Sequence, residues 1–282
     1  MHAERPSQTA SLVAMARALA HDGFTTAQGF SDPVARSLLS RGWTIAYRMI
    51  ARGLRRAKPE GRAKALAQLD VLPLRVLAID AELTEAVAAG CRQLVVLGAG
   101  FDTRVYRIAA LADVDAFEVD HPATQQPKRR LTAALKPLAR SLTYVTVDFE
   151  RDDLAERLRE AGHTADRPTV WIWEGVVMYL TDAALRSSLA AVAAASAPGS
   201  VLVVHYHLPG GEKRKMIWLL RFWSEPQIGL RSREAMHEEL RRVEFEVVRD
   251  SAPDEWVARF HASPLAGEVA RITRLAVARK SE

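Results

Sequence analysis

Three apolar runs in the middle of this 282-residue chain end on acids. "FEVDHP" carries Glu118 and Asp120, "VTVDFE" carries Asp148 followed by Phe149, and "WIWEGVVMYL" carries Glu174. A run just upstream, in "VVLGAGFDTR", ends on Gly98, Ala99 and Gly100 and then an acid, a hydroxyl and a base. An acid about 20 residues past a glycine turn can accept hydrogen bonds from both hydroxyls of a ribose. Asp148 with Phe149 offers a carboxylate to the amino group of an adenine and apolar surface to its ring. Glu174 closes a buried run, where a carboxylate is costly unless it meets a cation. One acid at a strand end is usually a helix cap, but acids at three consecutive strand ends point to a ligand.

The glycines narrow the choice of ligand. Without Cβ atoms the backbone can turn sharply and approach a bound molecule closely. A dinucleotide loop would want a third glycine where Thr103 stands, and the lysine of a phosphate-cradling loop is missing. A ligand with a ribose, an adenine, an ammonium group and no phosphates fits, and S-adenosylmethionine is that ligand. Its carboxylate needs a cation. Arg75, in "LPLRVLAID", is the candidate, with a purely structural pairing to Asp70 or Asp80 equally open.

Proton acceptors stand in "VVHYHLPGGEKRK". His205 and His207 fall on one face of an extended segment and Tyr206 on the other, so one of the three should reach the mouth of the site as a base. No third ligand stands at a telling distance, so no metal is expected. Beyond Gly210 and Gly211, residues 208–233 read as a lid, with an amphipathic helix packed on the core as the alternative. Trp218, Phe222 and Trp223 would face a flat substrate, and Lys213, Arg214, Lys215 or Arg221 its carboxylate.

These residues must be held by a sheet. Strands are predicted at 94–97, 115–119, 142–147, 170–173 and 201–205, alternating with helices near 104–111, 122–135, 152–160 and 182–195. Two further strands are expected at 244–248 and 272–278. Continuous apolar strands alternating with helices indicate a parallel sheet covered on both faces. The first 90 residues read as helices at 9–20, 32–39, 43–54 and 73–89. The division is therefore a helical extension and cover over 1–90 and a ligand-binding core over 91–282.

Bulk properties agree with one α/β domain plus an extension. Hydrophobic residues make up 49% of the chain, enough for a sizeable core. No run approaches a membrane span, and the N-terminus lacks the apolar stretch of a signal peptide. One cysteine, Cys91, excludes an internal disulfide and reads as a small buried residue; a cytoplasmic protein is expected. The net charge of +5 does not demand nucleic acid. Much of it lies in Arg48, Arg52, Arg55, Arg56 and Lys58, expected on a solvated helix face opposite Ala46, Met49, Ile50 and Leu54.

Across nearly its whole length the sequence resembles the leucine carboxyl methyltransferase and polyketide O-methyltransferase group of class I S-adenosylmethionine-dependent methyltransferases. "PSQTASLVAMARAL", "FSDPVARSLL", "RVLAID", "LGAGFDTRVYRI", "FEVDHP", "VDFERDDL" and "EGVVMYL" carry the likeness, in that group's order and spacing. The resemblance implies a Rossmann-like seven-stranded sheet whose last strand runs antiparallel. It implies that Arg75 holds the methionine carboxylate and Glu174 its amino group. Gly98, with Ala99 and Gly100, would line the cofactor, Asp120 would take the ribose, and Asp148 and Phe149 the adenine. Many relatives read R-T-R or R-T-H where Val76 and Leu77 follow Arg75 here.

The expected activity is methyl transfer to an oxygen, phenol or carboxylate, of a small aromatic or polyketide-like metabolite. A phenol is the preferred acceptor, because "HYH" offers a base. Methylation of a protein C-terminal carboxylate, RNA methylation and non-catalytic nucleoside binding are the alternatives. Exocyclic-amine methyltransferases usually carry an Asn- or Asp-Pro-Pro-aromatic run where Glu174-Gly175-Val176-Val177 stands, so no nucleic acid is expected. The sequence does not indicate an oligomeric state.

Overall fold

The computed structural model describes residues 8–149, 151–210 and 227–281. The proposed lid falls mostly outside them, including Lys213, Arg214, Lys215, Trp218, Arg221, Phe222 and Trp223.

All the predicted strands form. They are β1 (Gln93–Leu97), β2 (Asp115–Asp120), β3 (Ser141–Thr146), β4 (Thr169–Trp173), β5 (Val201–His207), β6 (Phe245–Ser251) and β7 (Thr273–Lys280). They build a seven-stranded sheet in the order β3-β2-β1-β4-β5-β7-β6. β1 pairs in parallel with both β2 and β4, and β7 runs antiparallel to β5 and β6. The order reverses between β1 and β4, and ligands of such sheets sit beyond the carboxyl ends of the strands at that reversal.

Alternation along each strand divides the core between the two faces. Leu94, Val96, Ile172 and Val203 pack on one face with Leu74, Ile79 and Leu83. Val95, Leu97, Trp171, Trp173, Val204 and Tyr206 pack on the other with Leu185 and Leu189. Cys91 is buried in the first of these layers, which raises its thiol pKa.

Three long helices precede the sheet: α1 (Gln8–His21), α2 (Arg41–Arg56) and α3 (Pro59–Ala88). The predicted start at Pro73 is corrected: α3 runs through that proline from Pro59. Buried positions at Leu66, Ala67, Asp70 and Leu74 stay in helical register across it, so packing outweighs the one lost backbone hydrogen bond. In α2 the buried stripe is Trp43, Tyr47, Ala51 and Leu54, and Met49 is turned outward with the arginines. The helix predicted at 32–39 is corrected to a 3₁₀ turn, Ala35–Leu38; the Asp32 carboxylate accepts from the amides of Val34 and Ala35 and also binds Arg17 and Thr103. A third apolar cluster joins these helices through Leu19, Phe24, Leu38, Trp43 and Tyr47, and it includes Phe101 from the glycine turn.

Four helices follow as predicted, two of them shorter. α4 (Arg104–Arg107) stops after one turn, and α5 (Pro122–Leu131) stops early. α6 (Leu154–Glu160) and α7 (Asp182–Ala194) match more closely. Among the described residues three helices were not anticipated: α8 (Arg233–Arg241), α9 (Pro253–Arg259) and α10 (Pro264–Ala270).

Candidate active site

The strand order brings the three acids into a row along one edge of the sheet. Asp120 is the last residue of β2, Asp148 lies two residues past β3, and Glu174 lies one past β4. Because β1 sits between β2 and β4, its glycine turn falls between Asp120 and Glu174.

Gly98 and Gly100 both have positive φ, +66° and +49°, a region that L side chains rarely adopt. A Cβ on Gly98 would stand 2.5 Å from Val176 Cγ2, so the turn is pressed against the segment after Glu174. The Ala99 amide donates to the Val119 carbonyl at 2.9 Å, tying the turn to β2. Asp120 accepts from the Gly100 amide and, at 2.7 Å, from the His121 amide. Burial raises its pKa, and those two amides pull it back. α1 reaches the same place: a Cβ on Gly100 would meet Ala10 Cβ at 3.4 Å.

Glu174 meets its cation twice. Its Oε1 accepts from Arg75 Nε at 2.8 Å and its Oε2 from Arg104 at 2.7 Å. Burial pushes the Glu174 pKa up, but Arg104 and Arg75 outweigh it and hold the carboxyl at about 2. Neither structural partner foreseen for Arg75 takes it: Asp70 is bound by Thr25 and Thr26, and Asp80 by Arg104 and Arg107. Asp148 is partly exposed and its amide donates to Asp152 at 2.8 Å; Phe149 leans on the apolar layer beside β3.

Sequence reasoning left the role of "DTR" unassigned. Arg104 is buried and binds Asp80 at 2.7 Å, Asp102, and Glu174. Thr103 donates to Asp32 at 2.7 Å and accepts from Arg17 at 2.9 Å. Four cations, Arg17, Arg75, Arg104 and Arg107, thus face four anions, Asp32, Asp80, Asp102 and Glu174. The acid–hydroxyl–base order was the one available signal, since such a triplet after a glycine turn must find partners once buried. Glu118, considered beside Asp120, is instead buried against Lys128 of α5 at 2.6 Å.

The "HYH" segment needs correction. Tyr206 lies on the opposite face of the sheet, buried, and donates to Asp250 at 2.7 Å, and burial then Asp250 raise its pKa. It is turned away from the edge where the acids gather. His205 is on the α3 face and fully buried, and its Nδ1 accepts from the Gly175 amide at 3.2 Å. Burial first, then Arg75 and His207, hold its pKa well below the usual range. With Nδ1 occupied and protonation this unfavourable, His205 is no proton acceptor. His207 is partly exposed, bonds Gln227 through Nδ1 at 3.1 Å, and stands edge-on to His205.

The family model for leucine carboxyl methyltransferase matches residues 10–193. A protein of Mycolicibacterium paratuberculosis provisionally named an S-adenosyl-L-methionine-dependent methyltransferase is 36% identical over 203 residues, covering 71% of this chain and 66% of its own length. A Mycobacterium avium protein with the same provisional name is 37% identical over 201 residues, covering 69% of this chain and 62% of its own. The chain therefore spans slightly under two thirds of these relatives. A crystal structure from Thermobifida fusca, provisionally described as a methyltransferase, superposes with a TM-score of 0.56. It covers 99% of this chain and 96% of its own at 19% identity, which is a likeness of fold.

Proposed function

Because the chain belongs to the leucine carboxyl methyltransferase family, we propose that it transfers a methyl group from S-adenosylmethionine to an oxygen of a small acceptor. The observation that carries this is the row of Asp120, the Gly98–Gly100 turn, and Glu174 with Arg75 along one sheet edge. The residues present fit the ligand. Asp120 offers a carboxylate for the ribose, Asp148 and Phe149 border the adenine, and the Gly98 cradle leaves no room for a Cβ. Glu174, kept anionic by two arginines, takes the ammonium group, and Arg75 takes the carboxylate. When bound, S-adenosylmethionine supplies an electrophilic methyl group on a sulfonium.

The chain's own part is to position and to exclude water. In-line displacement from a sulfonium destroys charge, so a dry, aligned site matters more than acid–base apparatus. α1 and the 3₁₀ turn at Ala35–Leu38 cover the glycine turn, consistent with residues 1–90 acting as a substrate-side cover. A small phenol or carboxylate, aromatic or polyketide-like, remains the acceptor we favour. If it is a phenol, His207, the partly exposed histidine of the pair, is the base we favour. A carboxylate acceptor, ionised at neutral pH, needs no base, and that His205 cannot act as one, its Nδ1 being held by the Gly175 amide, favours this second reading.

The test is release of S-adenosylhomocysteine from labelled S-adenosylmethionine over a panel of phenols and carboxylic acids. A phenol acceptor gives a rate that rises with pH and collapses in His207→Ala. A carboxylate acceptor gives a nearly flat profile from about pH 6 to 8. Tighter binding of NAD than of S-adenosylhomocysteine by calorimetry would remove the proposal.

A further inference from the structure

We propose that His205 is a binding residue: its Nε2–H donates to the carboxylate at the amino-acid end of the ligand, alongside Arg75. The proposal rests on S-adenosylmethionine being that ligand.

The tautomer follows from one hydrogen bond. A backbone amide can only donate, so the Gly175 N–H at 3.2 Å makes Nδ1 an acceptor, and the neutral ring carries its proton on Nε2. That N–H is buried and has no hydrogen-bond partner among the described residues. Leaving such a donor unpaired is unfavourable, so the site is built for an acceptor that arrives with a ligand.

The surroundings say which acceptor. Gly175 directly follows Glu174, and Glu174 Oε1 takes Arg75 Nε, so His205, Gly175, Glu174 and Arg75 form one contiguous chain of contacts. Both Glu174 oxygens are already engaged, by Arg75 and Arg104, and neither is the missing partner. Among the described residues, Arg75 makes a hydrogen bond only through Nε. Among the described residues, the charged or titratable groups that bear on the ring are Arg75 and His207, and both disfavour a positive charge there. Arg75 and His205 thus each keep a donor uncommitted among the described residues, within reach of each other's charge and beside Glu174. A carboxylate satisfies them together, one oxygen to each, while the ammonium group goes to Glu174.

Calorimetric titration with S-adenosylhomocysteine and with its decarboxylated analogue, S-adenosyl-3-thiopropylamine, tests this without turnover. The wild type prefers the carboxylate-bearing ligand. In His205→Asn, whose amide oxygen can still face Gly175 but whose side chain falls short of Nε2, that preference drops by about tenfold or more. His205→Gln, with an amide nitrogen near the Nε2 position, keeps more of it. Equal weakening of both ligands in His205→Asn would assign His205 a purely structural role and overturn the inference. A second measurement needs no variant. The imidazole Nε2 and its proton shift in nitrogen–proton NMR when S-adenosylhomocysteine binds, and much less with the analogue; identical shifts would overturn the inference too. Failure of the wild type to bind S-adenosylhomocysteine at all would overturn the parent reading instead.

Discussion

Replacing Arg104 by glutamine should unbalance the buried charge cluster, and the size of the loss follows from its contacts. The side chain is 2% exposed and binds three carboxylates, those of Asp80, Asp102 and Glu174. Asp80 keeps Arg107 and Glu174 keeps Arg75, but Asp102 keeps little beyond the Arg104 backbone amide. Breaking a buried pair from one side costs about 3–5 kcal/mol. Glu174 gives the scale for the set: Arg104 and then Arg75 hold it at about 2 against an ordinary 4.5, which at about 1.4 kcal/mol per pKa unit makes its ionised state worth about 3 kcal/mol, a sum that Arg104 and Arg75 share. The folded pKa is depressed, so this stability is present above the ordinary carboxylate range and is lost as pH falls from about 4.5 toward 2. Urea unfolding at pH 8 should therefore show Arg104→Gln less stable by about 3–5 kcal/mol, and the gap to wild type should narrow below pH 4.5. A gap under about 1 kcal/mol at pH 8, the worth of an exposed pair, or one that is constant with pH, would refute the reasoning.

Lys128→Met strands Glu118, both being 1% exposed in side chain, and should cost about 3–5 kcal/mol at pH 8 in the same assay. Burial already raises the Glu118 pKa, and losing Lys128 raises it further. A raised carboxyl costs stability as pH climbs above the unfolded value, so the deficit should shrink toward pH 5. Gly98→Ala, with φ +66° and a Cβ 2.5 Å from Val176 Cγ2, should lower stability by about 1–3 kcal/mol in thermal melts and weaken S-adenosylhomocysteine binding. Adding Val176→Ala should recover the clash but not the backbone strain. Deleting the residues before Asp32 removes α1, whose Arg17 binds Asp32 and Thr103. Turnover should fall sharply while circular dichroism still reports a folded sheet, and full activity in the truncation would reject the cover.

Much of this fold was legible along the chain because it is encoded locally. Two- and near-four-residue periodicities, a glycine turn after β1 and an acid at or just past the end of each of β2, β3 and β4 need no knowledge of neighbours. What local pattern could not carry was any choice between partners far apart in sequence. Arg104 and Glu174 are 70 residues apart and Arg75 and Glu174 99 apart. Both pairings depend on β1 lying beside β4 and on α3 packing against that face of the sheet. The same packing carries α3 through Pro73, where intrinsic propensity places a helix start. Alternation put His205 and His207 on one face, but only the neighbouring strand brings the Gly175 amide to His205 and so decides its tautomer. Sequence thus determined which groups stand at the sheet edge. Tertiary structure decided their charge and protonation, because in a buried site these are set by what each group touches.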